Sequence, residues 1–596
     1  MENSSVQLND LPDEILMMIF KKLHNITLLY SLSDVNIRLN KIVHDSIFTN
    51  RLTLANFVPS RLILQMYSPI YFAYPLSDLV LDRFCSHILS KIHQKVKWLD
   101  LESSSMERIL LSTNYPNLVG IALYNIHLEN AVHLFADERL FTSTYKKQIS
   151  SLVIDIKASG EGNPTQDENI VLFTHIFNIF TNLQTLNIGP SSIWYQYLCF
   201  DRSPPTVISS TLLELYVCLV NFSDCLYLLD GRFNQLHTFH ANIDFITSSR
   251  LIINNKEKLP NLKSFKLHCY IDTSFYDELI LPLLHRMSNL EKLDLVLIVW
   301  TKKTLIDGNN LKLNIINYMP LLNKFTFNIH SKTRFYTKFN LPSNEYIQET
   351  FKDFKNKQII SSIDYFKEKE YSQCHIYSYP YQLIYYNNIT NNFPGGIFEC
   401  VREISLFDER SFEHEFFFQI SQSFPFLKKL TLINKKPQNN KHLRKSKNQN
   451  QNLSIIQYPY LLKLDISEAH KDYHEQFLFD NKTCLPDNIR VIMNYQLLKK
   501  QQHIIDSFRP DTKSNSFQRP RSEMNIASGI PKFCSLSIIQ ADGNAYIRDD
   551  TMFIKIMMDF GDLPKNSLQF ILGLNPGFPM NIQQAIMKEE SKKQTQ

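Results

Sequence analysis

The hydrophobic pattern begins almost at once, with "LNDLPDEILMMIFKKL" over residues 8–23. Wound as a helix over 13–23, it puts Ile15, Ile19 and Leu23 on one stripe and Leu16 and Phe20 on the next. Met17 and Met18 widen the apolar surface almost all the way round, which predicts a helix buried on two sides. Pro12 suits a first turn, and Asp10, Asp13 and Glu14 suit the positive end of the helix dipole. Two more helical segments follow, "ITLLYSLSDVN" and "NIRLNKIVHDSIF". Their Leu28, Leu29, Leu32, Val35, Leu39 and Ile42 cover only one side of the first helix, and the bundle ends near residue 50. A unit this small is at the lower limit of independent folding, so leftover apolar surface is expected to meet a partner or a neighbouring domain.

After a stretch over 51–95 that reads as a helical linker or cap, a second pattern takes over. From residue 96 one phrase keeps returning, Leu-x-x-Leu-x-Leu or a close variant, often after a Pro-Asn or Pro-Phe corner. It appears as "PNLVGIAL" (Leu118, Ile121, Leu123), "TNLQTLNI" (Leu183, Leu186, Ile188), "NQLHTF" (Leu236, Phe239) and "PNLKSFKL" (Leu262, Phe265, Leu267). It continues as "SNLEKLDL" (Leu290, Leu293, Leu295), "PLLNKFTF" (Leu322, Phe325, Phe327), "PFLKKLTL" (Leu427, Leu430, Leu432) and "PYLLKLDI" (Leu461, Leu464, Ile466), with "SLVIDI" and "VREISL" as weaker members. The closing Leu-x-Leu alternates as a strand does, and the leading Leu turns the corner into it. Most spacings are roughly 22 to 34 residues, enough for a strand plus a helix, so a parallel sheet built one strand per phrase is predicted over 96–498. Two insertions interrupt it. One, at about 330–400, carries the tyrosine-rich "SYPYQLIYYNNITNNFPGGIF", whose tyrosines are either ligand contacts on a protruding loop or the aromatic core of irregular repeats. The other, 434–452, is basic and Asn/Gln-rich and reads as a solvated loop, with nuclear import or anion binding as its functional alternative.

Both patterns carry resemblances. "LNDLPDEILMMIFKKLHNITLLYSLSDVNIRLNKIV" resembles an F-box, a three-helix module assigned to residues 7–50. The resemblance implies docking onto the Skp adaptor of a cullin-based ubiquitin ligase through Leu11, Pro12, Glu14, Ile15, Ile19 and Leu28. Many F-boxes place a tryptophan after an arginine in the last helix; here Leu39 follows Arg38. The recurring phrase resembles the irregular leucine-rich repeats often found behind an F-box, which implies a solenoid whose arc holds a protein substrate.

A third resemblance lies at the other end. "HIIDSFRPDTKSNSFQRPRSEMNIASGIPKFCSL" and "NAYIRDDTMFIKIMMDFGDL", residues 503–563, resemble the C-terminal half of a TRAF-type MATH domain. That implies a partial β-sandwich and a peptide groove lined by Ser514, Ser516, Ser528 and Gly529, able to bind receptor cytoplasmic peptides. Asn515 and Ile530 stand where the family often has serine and cysteine. The first half of such a sandwich is missing upstream. The tail is therefore a fusion remnant, a graft that pairs with the end of the repeat sheet, or a groove that still binds peptide. Residues 564–596 read as a frayed, charged end.

The fold class is thus α/β, in three parts. Composition narrows the function: 596 residues, 44% hydrophobic, 20% charged and a formal charge of +5 fit a folded soluble protein and give no basic stripe for nucleic acid. Nine scattered cysteines without Cys-x-x-Cys spacing point to reduced thiols in the cytoplasm or also the nucleus. No secretory leader is read at the start, and no apolar run reaches the roughly 18 residues of a membrane span. Catalytic motifs are absent, and no cofactor is implied. The best metal candidate, "HKDYH" with His470, Asp472 and His474 and with Glu468 nearby, carries Lys471 where a zincin needs glutamate. "HTFH" is weaker, because His237 and His240 would point to opposite faces of a strand. The expected function is a non-catalytic substrate receptor of a Skp–cullin–F-box ubiquitin ligase. The alternative is a signalling adaptor or scaffold acting through the TRAF-like tail.

Overall fold

The structure is a computed structural model. It describes residues 11–493 apart from 60–70, parts of 128–142, 158–165, 190–196, 201–205, 249–256, 303, 335–341, 355–357, 440–453, 479–482 and 487–488; beyond 493 it describes only 547–548 and 551–552. The chain divides into two units, residues 1–497 and 498–596.

The first unit starts with four short helices, α1 (Asp13–Phe20), α2 (Asn25–Leu32), α3 (Ile37–Val43) and α4 (Ser46–Thr49). Asn36 and Asp45 cap α3 and α4 by accepting the backbone N–H of Leu39 and Ile47 at 2.7 and 2.9 Å. Leu16, Phe20, Leu28, Leu29, Leu39, Ile42, Val43 and Phe48 form the inner side of this group and run without a break into the core of the sheet that follows. Leu39 fills that core, so the arginine–leucine pair is accommodated without a tryptophan.

The sheet begins earlier than the sequence pattern indicated. β1 (Arg51–Leu54) is its first strand, so the stretch 51–95 is not merely a helical linker. A hairpin, β2 (Asn56–Pro59) with β3 (Tyr71–Tyr74), and helical turns over 78–95 follow. The sheet continues with β4 (Trp98–Glu102), β5 (Gly120–His127), β6 (Ser151–Lys157), β7 (Thr185–Ile188), β8 (Glu214–Asn221), β9 (Thr238–Phe245), β10 (Ser264–Cys269), β11 (Lys292–Trp300) and β12 (Lys324–Arg334). Apart from the hairpin, every strand from β1 to β12 lies parallel to its predecessor and beside it, which is the order expected when each phrase supplies one strand and a short crossover. Two further strands, β13 (Gln358–Phe366) and β14 (Tyr371–Tyr379), close the sheet antiparallel, in the order β12-β14-β13.

A second sheet of five parallel strands follows in the same manner: β15 (Tyr385–Ile389), β16 (Glu403–Phe407), β17 (Lys429–Asn434), β19 (Lys463–Ala469) and β21 (Arg490–Ile492). Two short strands, β18 (Ile456–Gln457) and β20 (Thr483–Cys484), pair beside it. The proposed insertion at about 330–400 is therefore sheet, and its tyrosines settle the alternative left open above. Tyr377, Tyr381, Tyr385 and Tyr386 are buried in the core between the sheets.

A single hydrogen-bond device repeats at the corners. The carbonyl of the residue just before each strand accepts two consecutive N–H groups from the next corner. Thus Asn50 O takes Lys97 and Trp98, Lys97 O takes Val119 and Gly120, and the series passes through Val119, Ser150, Gln184, Leu213, His237 and Lys263 to Glu291 O, which takes Asn323 and Lys324. It stops there and resumes at Ile384 O, Arg402 O and Lys428 O, while Leu462 O takes Arg490 alone among the described residues. The corner asparagines reinforce it: Asn117, Asn182, Asn261 and Asn289 donate to the carbonyls of Gln94, Lys147, Asn234 and Pro260, each on the preceding corner, at 2.7–2.9 Å. Buried backbone acceptors must be paired, and a corner asparagine pairs one without needing a strand there. The phrase residues named above by number are all buried except Leu322, which is half-buried.

Candidate partner-binding surfaces

On α1 the apolar residues divide between two sides. Leu16 and Phe20 point inward and are at most 2% exposed, whereas Ile15, Met18, Ile19 and Leu23 are 41–64% exposed. Among the described residues the expectation that this helix is buried on two sides is not met, since α2 and α3 reach only one of them. Pro12 and Glu14 are exposed and Leu11 is half-buried, so five of the six residues predicted for this surface are at least partly accessible. Leu28 is the exception: at 1% exposure it is core and supports α1 from behind. Arg38 ties the start of α1 in place, donating to Asp13 Oδ1 at 2.7 Å and to the Leu11 carbonyl at 2.5 Å. Val35 and Ile37, which flank the start of α3, are also exposed.

The long sheet buries its leucines on one face and carries polar side chains on the other. At the β1 end, Asp100 accepts from Arg51 Nε and Nη2, Trp98 Nε1 and Thr53 Oγ1 at 2.8–2.9 Å. The Trp98 ring lies flat over Gly120, where an added Cβ would fall 2.1 Å from the ring, so only glycine fits that position of β5. Farther along, Tyr216, His240, Lys266 and Asp294 occupy neighbouring positions of one row. Lys266 and His268 both approach Asp294, at 3.4 and 3.5 Å. Burial, aided by the Lys266 charge, pushes His240 down to about 4. These are groups for polar recognition; among the described residues no set of three or more His, Cys, Asp or Glu side chains is placed to hold a metal.

The histidine candidates resolve differently. His474 sits inside helix Lys471–Leu478 at 1% exposure and pairs with the Ile466 carbonyl at 2.9 Å, while His470 lies 3.3 Å from Asp472. His237 is exposed at a corner and His240 stands on the polar face against Tyr216.

Between the sheets lies a buried polar seam that the sequence did not announce. His330 and His375 stack with ring centroids 3.6 Å apart, and His375 pairs with Asn328 Oδ1 at 3.2 Å. Burial holds His330 down at about 3 and His375 well below the usual histidine range. Asp364 accepts from Thr390 Oγ1 at 2.6 Å and Asn392 Nδ2 at 3.0 Å, and burial nevertheless lifts its carboxyl to about 6. A cavity of about 10 Å³, space for one water, is lined in part by Ser362, Asp364, Gln373, His375 and Thr390. Period-two alternation fails here because both faces of β13 and β14 are packed, which removes the usual sequence signal.

Ser514, Ser516, Ser528 and Gly529 lie outside the described residues, as do most of the basic segment 434–452 and nearly all of 503–596. In the second unit a two-residue hairpin is described, Ile547–Arg548 with Thr551–Met552. No helix of the described residues is long and apolar enough to cross a membrane.

Comparison with known proteins bears on the tail. Residues 486–555 match the family described as TRAF/meprin, MATH domain. The chain is 49% identical over 77 residues to TNF receptor-associated factor 1 of Mus musculus, covering 13% of this chain and 19% of that protein. It is 47% identical over 78 residues to TNF receptor-associated factor 2 of Homo sapiens, covering 13% and 15%. With TNF receptor-associated factor 5 of Mus musculus it shares 50% identity over 86 residues, 14% and 15%. The chain thus spans less than a fifth of the length of these relatives. It carries a TRAF/MATH segment, a type that supports protein–protein interaction. The match starts at 486 instead of 503, and so takes in β21, which pairs with β19 as the last strand of the second sheet.

Proposed function

We propose that this chain is the substrate-recognition subunit of a Skp–cullin–F-box ubiquitin ligase, with α1 docking the Skp adaptor and a leucine-rich-repeat arc holding a target protein. It has no chemistry of its own in this reading; it raises the effective concentration of a target lysine near a conjugating enzyme. The observation that carries the proposal is the exposed row Ile15, Met18 and Ile19, on a helix whose inner face is already used by Leu16 and Phe20. Burying a side chain of this size contributes about 1.5–3 kcal/mol, and association costs about 4–15 kcal/mol, so the whole row is needed.

The test is recovery of the Skp adaptor and cullin, scored by mass spectrometry, with the intact chain and with Ile15→Asp/Ile19→Asp. Both positions are exposed, so the variant keeps the fold and loses the adaptor. If the intact chain recovers no adaptor, α1 is only a cap on the sheet and the proposal fails.

The TRAF/MATH match favours a second reading, a non-catalytic adaptor whose tail binds receptor cytoplasmic peptides; the relatives' names point to TNF receptors. It predicts peptide binding that survives Ile15→Asp/Ile19→Asp and is lost when Ser528 and Gly529 are changed. Binding that ignores Ser528 and Gly529 removes its basis.

A further inference from the structure

Several cations on and around the polar face of the sheets are matched by carboxylates. Arg51 meets Asp100, Lys263 meets Glu291, Lys266 meets Asp294, Lys302 meets Glu278 and Lys429 meets Glu403, all within 3.4 Å. One place gathers three cations that are not so matched. At the C-terminal ends of β11 and β12, where the β13–β14 turn comes alongside the second sheet, three cations lie on aromatic rings. Lys332 Nζ sits 5.5 Å and Arg334 Cζ 5.8 Å from the centre of the Trp300 ring, and Lys369 Nζ sits 4.0 Å from that of Phe407. None of the three has a carboxylate within salt-bridge distance among the described residues. The nearby acids are engaged elsewhere: Asp272 accepts from Trp300 Nε1 at 2.6 Å, and Glu409 accepts the backbone N–H groups of Glu368 and Lys369 at 3.0 Å.

Sheet register makes this arrangement firm. Trp300 and Lys332 are partners across β11 and β12, Arg334 and Tyr371 across β12 and β14, and Tyr371 and Phe366 across β14 and β13. The rings form a continuous floor, Trp300 to Tyr371 at 5.6 Å, Tyr371 to Phe366 at 4.8 Å and Phe366 to Phe407 at 5.1 Å, with cations at both ends. Burial lowers the Lys332 ammonium, Asp272 opposes that fall, and Lys369 adds to it. Lys332 and Lys369 thus repel across the rings while Asp272 offsets them in part, and a visiting anion adds to that offset.

We infer that this notch binds an acidic segment of a partner polypeptide, its carboxylates on Lys332, Arg334 and Lys369 and its apolar side chains on Trp300 and Tyr371. Tryptophan, tyrosine and arginine are the side chains that most often dominate protein interfaces. A nucleic acid fits less well than a short acidic segment, because three cations are gathered here and a long phosphate backbone would run on past them. The inference rests on reading the sheets as the part of the chain that holds a partner; it does not depend on an adaptor at α1.

The experiment measures fluorescence anisotropy of a labelled peptide of alternating Glu and Leu on the purified full chain. Controls are the same peptide with Gln for Glu and a single-stranded RNA of equal charge. Binding of the acidic peptide alone is expected. Lys369→Glu, on an exposed turn, should weaken it by about tenfold or more, as loss of an interfacial charge does. Lys332→Gln should weaken it in the same direction, and Lys324→Glu, exposed at the opposite end of β12, should leave it within about twofold. Melting temperatures accompany each variant; should Lys332→Gln unfold, Lys369→Glu carries the test. Unchanged binding in Lys369→Glu, equal weakening in Lys324→Glu, no binding by the intact chain, or tighter binding of the RNA would each overturn the inference. Adaptor recovery with Lys369→Glu should match the intact chain, which separates this failure from that of the ligase reading.

Discussion

The two sheets are built on the same corner device yet hold themselves together differently. In the long sheet each strand adds one member to a repeating apolar row, such as Leu215, Phe239, Phe265 and Leu293 at one register level. In the short sheet stability is concentrated where it begins, in a cluster of rings. Phe398 alone lies within 6.3 Å of Tyr377, Tyr381, Tyr386, Phe393 and Phe424. Repetition spreads binding energy over many equivalent contacts, while an interruption of the repeat must be welded by specific ones.

The largest test of that contrast is Phe398→Ala. It should cost about 3–5 kcal/mol and let the second sheet unfold at lower urea than the first, seen as two transitions in near-ultraviolet dichroism. A single transition at an unchanged midpoint would show the weld to be unimportant.

Next comes the pH dependence of the seam. Asp364 is raised in the folded chain to about 6 from an ordinary value of 3.8, so the folded state holds its proton longer and stability through this group falls as pH rises from about 4 to 6. Asp364→Asn removes that loss, and its stability relative to the parent should climb by about 3 kcal/mol across this window. His330 and His375 act with the opposite sign: they stay neutral in the fold, so acid below the ordinary histidine value destabilises it. Chemical denaturation of parent and variant at each pH reads both; a pH-independent difference would refute the role assigned to Asp364.

The smallest effect belongs to the regular sheet. Ile243→Val, in the middle of β9, should cost only about 0.5–1.5 kcal/mol and shift a single midpoint without altering its steepness.

Legibility in the sequence follows the same division. The Leu-x-Leu strands of the long sheet could be read directly, because one face is apolar and the other wet. β1 escaped because "RLTL" lacks the leading leucine of the phrase, and β13 and β14 escaped because both their faces are covered. Leu28 shows a different limit: helical periodicity identifies an apolar face without saying which neighbour covers it. The Trp300 notch was unreadable for a further reason, since its members come from β11 to β14, the β13–β14 turn and β16, and meet only once the strands are in place.

The antiparallel closure of the long sheet has a mechanical consequence. Parallel strands with corner bonds peel one at a time, so a tug on either end of such a stack travels along it like a zip. β14 and β13 run against that direction and are joined by a short turn, so a pull on β12 and on β15 loads their ladder at one end and opens its bonds pair by pair. Because the corner bonds stop at Glu291 and resume at Ile384, the stack is two zips joined by this hairpin, and a chain stretched in an optical trap should lengthen in two separate stages.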